Sequence, residues 1–137
     1  MLISGLLSLP WSAGAQSHGL AEWDRTLRAA ETEGQLTLYG CCYDYDKVVD
    51  GFKKKYPKIK VATVLGAGGQ LATRILAERR GDKFIPDVVS AGANTLHDAL
   101  YKAQLLEPIK PALILPEVLD SSKWLEGEQR YIDPEKR

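Results

Sequence analysis

The chain has 137 residues, room for one ordinary domain of roughly 100 to 150 residues and too little for two full lobes. Hydrophobic residues at 45% and charged residues at 26% are globular values, which excludes a disordered, collagen-like or coiled-coil chain. Eighteen Lys plus Arg balance eighteen Asp plus Glu, so no overall basic excess points to nucleic acid or an anionic membrane, and the densest basic run, Lys53 to Lys55 with Lys58 and Lys60, reads as a solvated helix end.

No charged residue precedes Glu22. Leu2 to Trp11 is an apolar run of the length of a secretory h-region, and Ala13, Gly14 and Ala15 before Gln16 form a small-residue cleavage site. A membrane span needs roughly 20 continuous apolar residues, and here Ser4, Gly5, Ser8, Pro10, Ser12 and Gly14 interrupt the run. Residues 1–15 are therefore expected to be a signal peptide, although one that lacks the basic n-region, and residues 16–137 the exported domain. A frayed apolar terminus is the alternative.

Downstream, the hydrophobic period alternates between helix and strand. Trp23, Leu27 and Ala30 share one helical face, and Gly34 stands where a helix C-cap needs positive φ. Leu36 to Tyr39 reads as a strand. Val48, Val49, Phe52 and Tyr56 mark a second helix that Pro57 ends. Ile59 to Leu65 is a second strand; Leu71, Ala72, Ile75 and Leu76 give a third helix closed by Gly81; Asp87 to Ser90 is a third strand. Thr95 with Asp98 forms a capping-box signature for a helix carrying Leu96, Ala99, Leu100 and Ala103. Beyond that the periodicity weakens. The alternation predicts an α/β fold of parallel βαβ units, with Tyr39, Val61 and Val88 buried together beneath Phe52 and Ile75.

Ligands of such sheets bind at the carboxyl ends of the strands, so the loops of interest are 40–46, 66–70 and 91–95. Gly66-Ala67-Gly68-Gly69 lies between a strand and a helix whose unpaired N–H groups can hold an anion. It is not a dinucleotide fingerprint, because Leu71 stands where the third glycine belongs, and the glycines can equally serve a tight turn. Asn94 and the Thr95 hydroxyl offer further donors at a helix start, or a simple cap. Asp44 and Asp46 would meet a cation or form a plain turn. Hydrolase, zinc-protease and P-loop signatures are absent, His97 reads as a surface residue on its helix, and Glu78, Arg79 and Arg80 as a solvated helix end.

Several residues in order carry a resemblance: Trp23, Ala30, Glu33-Gly34, Leu36 and Tyr39-Gly40; Phe52, Tyr56-Pro57, Ile59 and Val61; Arg74 to Arg79; and Asp87-Val88-Val89. Over about Glu22 to Asp133 the chain resembles bacterial extracellular solute-binding proteins of ABC importers, in the branch that includes ferric-iron, thiamine, polyamine and phosphonate binders. The resemblance implies a parallel-sheet βαβ lobe of a periplasmic-binding-protein fold of the second type, truncated before the second lobe. It also implies a periplasmic monomer that hands a small-molecule or metal-ion solute to an inner-membrane permease, without catalysis, cofactor or resident metal. Carried over by position, the ligand-facing candidates are Tyr43, Gly68, Gly69, Gly92, Asn94 and Thr95, joined by the Gln70 backbone N–H. Counting these donors favours an oxygen-rich anion over a polyamine. An α/β enzyme or sensor domain that binds a phosphate or carboxylate at the glycine-rich turn is the alternative.

Cys41 and Cys42 depart from the small or polar residues usual after the first strand of that family. They can be small buried hydrophobes, a strained vicinal disulfide, or contacts to a ligand or metal. His18 and His97 do not stand at a spacing that would complete a zinc site with them.

Overall fold

The computed structural model describes residues 13–135. The apolar run expected to be a signal peptide lies outside the described residues, apart from the end that opens the first helix. Among the described residues no helix is long and apolar enough to cross a membrane.

The fold is α/β. Helix α1 (Ala13–Glu33) is followed by β1 (Gln35–Gly40), α2 (Asp46–Lys55), β2 (Lys60–Leu65), α3 (Gly68–Arg80) and β3 (Val88–Ser90). A π-helix (Asn94–Tyr101), short 3-10 turns and a single turn of helix, α4 (Pro116–Leu119), complete it. The element ends obey the local chemistry: Gly34 closes α1 at φ 73°, its N–H donating to the Ala30 carbonyl at 2.8 Å. Pro57 stands one residue past the C-cap position of α2, and Tyr56 before it has already left the helical region at φ −129°, ψ 68°. Lys53, Lys54 and Lys55 fill the last turn of α2, where the helix dipole favours cations.

All three strands are parallel, in the order β2-β1-β3. Leu36 pairs with Val61 and Tyr39 with Val64 on one side, and Tyr39 with Val89 on the other. The pairing runs past the ends of β3. Cys41 N–H donates to the Ser90 carbonyl at 3.0 Å, and Asp87 exchanges bonds with Thr37 through its N–H at 3.0 Å and its carboxylate at 2.7 Å.

This register corrects the expected core. Side chains alternate across a sheet, so the fully buried Tyr39 shares its face with Val64 and Val89, while Val88 points away and is 45% exposed. Leu71, Ala72 and Ile75 of α3 and Leu100 of the π-helix cover that face, together with Cys41. Phe52 does not join them. It packs with Trp23, Leu27 and Ala30 of α1 and with Tyr56 and Ile59 of the link between α2 and β2 around an apolar cavity of about 90 Å³.

The helix expected after β3 is wound differently. Thr95 and Asp98 form no capping box: the helix begins after Ala93, and Asp98 instead accepts from Lys102 at 2.8 Å and contacts His97 at 3.0 Å. Lys102 and then His97 hold the Asp98 carboxyl below its usual range. The wider π turn turns Leu96, Ala99 and Leu100 to the core and leaves Ala103 exposed, with Leu105 and Leu106 packed in its place. The C-terminal stretch returns to α1, where the Ile114 carbonyl comes so near Gly19 that a Cβ would stand only 2.6 Å from it. Trp124 and Gln129 both donate to the Val118 carbonyl, at 2.7 and 3.0 Å, and hold this stretch together.

Glu78 is not a solvated helix end. Its Oε1 accepts from the Tyr39 hydroxyl at 2.8 Å and from Arg74 Nε at 2.7 Å, and the Arg74 guanidinium lies 5.0 Å from the Tyr39 ring centre. Oε2 is buried with no hydrogen-bond partner among the described residues. Burial, then the bond to Glu78 and its charge, raise the Tyr39 phenol above its ordinary value, with Arg74 opposing. A raised folded value means that this stabilisation is complete below the unfolded phenol range near ~10 and is lost as pH rises through the folded value. Tyr39→Phe is therefore expected to cost about 1 kcal/mol at neutral pH and to flatten the alkaline loss of stability. Urea unfolding at neutral and alkaline pH checks it; parent and variant losing stability in parallel would exclude the phenol as the titrating group.

Candidate functional site

With β1 central, the chain leaves it on one side for β2 and returns to β3 on the other. The crevice of such a sheet opens between the carboxyl ends of the two strands whose connections diverge, here β1 and β3. The loops over it are 41–45 after β1 and 91–93 after β3, with the start of α3 beside them.

Tyr45 ties the two strand ends together. Its ring is buried, and its hydroxyl lies 3.0 Å from the Cys41 carbonyl and 3.1 Å from the Ser90 carbonyl, one from each strand. Tyr43 stands outside it, 69% exposed and edge-on to the Tyr45 ring at 6.1 Å between centres. Asp44 accepts from the Asp46 N–H at 3.2 Å, the plain turn.

The start of α3 reaches the same place. A Cβ on Gly68 would lie 2.3 Å from Thr95 Oγ1 and 3.4 Å from Cys41 Sγ, so the loops after all three strands meet at this residue. Gly68 is needed for close approach and not for its φ. The first N–H groups of a helix have no intrahelical acceptor, which leaves the Gly68 and Gly69 amides as donors. The Gln70 amide is different: it donates to the Ala67 carbonyl at 2.9 Å, and the Gln70 side chain accepts from the Ala67 N–H at 3.4 Å. Gln70 thus caps its own helix. Thr95 is half-buried against Gly68, whereas Gly69, Gly92 and Asn94 are exposed around the mouth. Of the candidates read from the sequence, Gly68 and Thr95 come into contact, and Tyr43, Gly69, Gly92 and Asn94 are exposed on the loops around them.

Both thiols are free, Cys41 buried and Cys42 exposed. Cys42 has φ 74°, a left-handed conformation uncommon for a side-chain-bearing residue. Its thiol is held above its ordinary value chiefly by a hydrogen bond with the Cys41 thiol, then by burial and by the Cys41 charge, while the Gly92 N–H acts in the opposite sense. The sequence carried the two residues but not the bond from the Cys41 N–H to the Ser90 carbonyl, which depends on β3 lying beside β1.

Among the described residues, no three His, Cys, Asp or Glu side chains gather into a set that could hold a metal ion. His97 is tied to Asp98 and stacked on Tyr101, ring centres 5.5 Å apart. The apolar cavity beside Trp23 lies at the amino end of the sheet, next to Ile59, and has no polar lining to orient a ligand. No protein-family model matches this chain, and a comparison with curated proteins finds no match.

Proposed function

We propose that the chain is the substrate-binding component of a bacterial ABC importer, an α/β lobe of the second periplasmic-binding-protein type that captures a small oxygen-rich solute for an inner-membrane permease. The observation that carries this reading is the meeting of all three βα loops at Gly68, with the Thr95 hydroxyl and the Cys41 sulfur both close against it. Two amides at a helix start, Gly68 and Gly69, supply uncharged donors for an anionic or carbonyl oxygen. The exposed Tyr43 and Asn94 flank them.

A single lobe supplies one wall of such a site, and small ligands depend on burial of most of their surface. Dissociation constants of this chain are therefore expected above the micromolar range. Thermal unfolding with methylphosphonate, succinate, ferric citrate, thiamine and putrescine tests the reading. A ligand at ten times its dissociation constant adds about 1.4 kcal/mol. Stabilisation by an oxygen-rich anion that is recovered chemically unchanged is the expected result. Conversion of the ligand to product would make the protein an enzyme, and stabilisation by putrescine alone would move the site to Asp44 and Asp46.

A further inference from the structure

The sheet ends on β2 at one side and on β3 at the other, and the two edges are built differently. β3 has three residues and is entered through Pro86 and Asp87, the short and charged form in which edge strands resist further pairing. β2 carries no such guard. It has six residues, pairs with β1 without a bulge from Lys60 to Leu65, contains no proline, and bears its one charge at its first position. Lys60 N–H donates to the Gly34 carbonyl and Gly66 N–H to the Gly40 carbonyl. Both backbone groups of a residue in a parallel strand point to the same side, and the side alternates along the chain. Lys60, Ala62, Val64 and Gly66 are thus committed to β1, while Val61, Thr63 and Leu65 aim their N–H and C=O groups away from it. Ala62, Thr63 and Leu65 are exposed. We propose that this edge is a homodimer interface, in which β2 pairs antiparallel with β2 of a second copy about a two-fold axis at Thr63, a departure from the monomer that the resemblance implies.

Self-complementarity selects the occupant. The free groups of β2 meet those of a second β2 in full overlap when Thr63 stands opposite Thr63 and Val61 opposite Leu65, each pair exchanging both of its hydrogen bonds. The side chains agree with that register. Ala62 falls opposite Val64 and Lys60 opposite Gly66, so the charge of the strand meets no like charge, and the Thr–Thr pair on the axis is a favourable cross-strand pair. Parallel pairing of the two copies would set Lys60 beside Lys60. In the antiparallel pair the amino end of β2 lies instead beside the stretch 65–73 of the second copy, which contains no Lys, Arg, Asp or Glu. With eighteen charges of each sign, the copies carry no net charge to hold them apart.

A strand pair of this length falls short of the standard interface of roughly 1,600 Å², so the dimer should be weak, half-formed at about 100 μM. Sedimentation equilibrium of the full chain over a dilution series measures it. Thr63→Lys and Thr63→Glu each set like charges face to face across the axis and should each weaken association about fivefold. An equal mixture of the two variants sets Lys opposite Glu and should associate at least as well as the parent. Thr63 is exposed, so both variants should keep the parent's urea midpoint at low concentration. On the parent itself, amide exchange at Val61, Thr63 and Leu65 should slow in step with the dimer fraction, while Ala62 and Val64, bonded to β1 in either state, stay unchanged. A parent that remains monomeric at about 1 mM, a mixture no better associated than either variant alone, or protection that appears at β3 in place of β2 would each overturn the proposal. The solute-binding reading is judged separately, since thermal shifts with oxyanions can be measured on dilute Thr63→Lys.

Discussion

Leu100→Ala is expected to cost about 2 to 5 kcal/mol. Leu100 and Tyr39 are the largest completely buried side chains among the described residues, and Leu100 seats the π-helix against Leu71, Ala72 and Ile75 of α3. Removing it opens a cavity between two elements that touch the candidate site, and the Leu105 N–H that donates to the Leu100 carbonyl at 3.0 Å belongs to the segment that would loosen next. A domain of this size has roughly 5 to 15 kcal/mol in total, so the variant should show a much lower urea midpoint. Leu119→Ala, at a site 59% exposed, should stay within about 0.5 kcal/mol of the parent. Similar losses for the two would mean that the π-helix does not close the core.

The second large effect is expected at Gly68. A methyl group there would stand 2.3 Å from Thr95 Oγ1 and also press on Cys41 Sγ at 3.4 Å. Thr95 is β-branched and sits in a helix, so it has few rotamers through which to escape. Gly68→Ala should therefore cost about 1 to 3 kcal/mol. Thr95→Ala removes the clashing oxygen, and the double variant should recover part of that loss, with a coupling of about 0.5 kcal/mol or more. Additive effects of the two substitutions in urea unfolding would show that the loops after β2 and β3 do not touch.

The elements were legible because their signals are local. Gly34 and Pro57 set the ends of α1 and α2, and Leu36 to Tyr39 lies within the observed β1. The parallel arrangement followed from alternation of strand and helix. What depended on distant partners was not legible. Strand register decides that Tyr39 meets Val64 and Val89 instead of Val61 and Val88, and β3 has only three residues from which a period could be read. The bond from Tyr39 to Glu78 spans 39 positions, so a carboxylate that the sequence places near a helix end is a buried partner in the fold. π winding has no sequence signature of its own, and the Thr95 and Asp98 pattern favoured an ordinary cap. At the candidate site, the rule that ligands sit at carboxyl ends located the loops. It did not reveal that Gly68 touches Thr95, because that needs the crossover between β2 and β3, nor that Gln70 is spent on its own helix, a local bond to Ala67 that the glycine-rich turn does not advertise.

The central claim is that the mouth formed by these three loops receives an oxygen-rich solute. A backbone amide map of the chain titrated with methylphosphonate addresses it directly. The largest shifts are expected at Gly68 and Gly69, followed by Gly92 and Asn94, with the amino-end cavity around Trp23 and Phe52 unchanged. Shifts centred on that cavity, or no response at Gly68 and Gly69 at saturating ligand, would contradict the account.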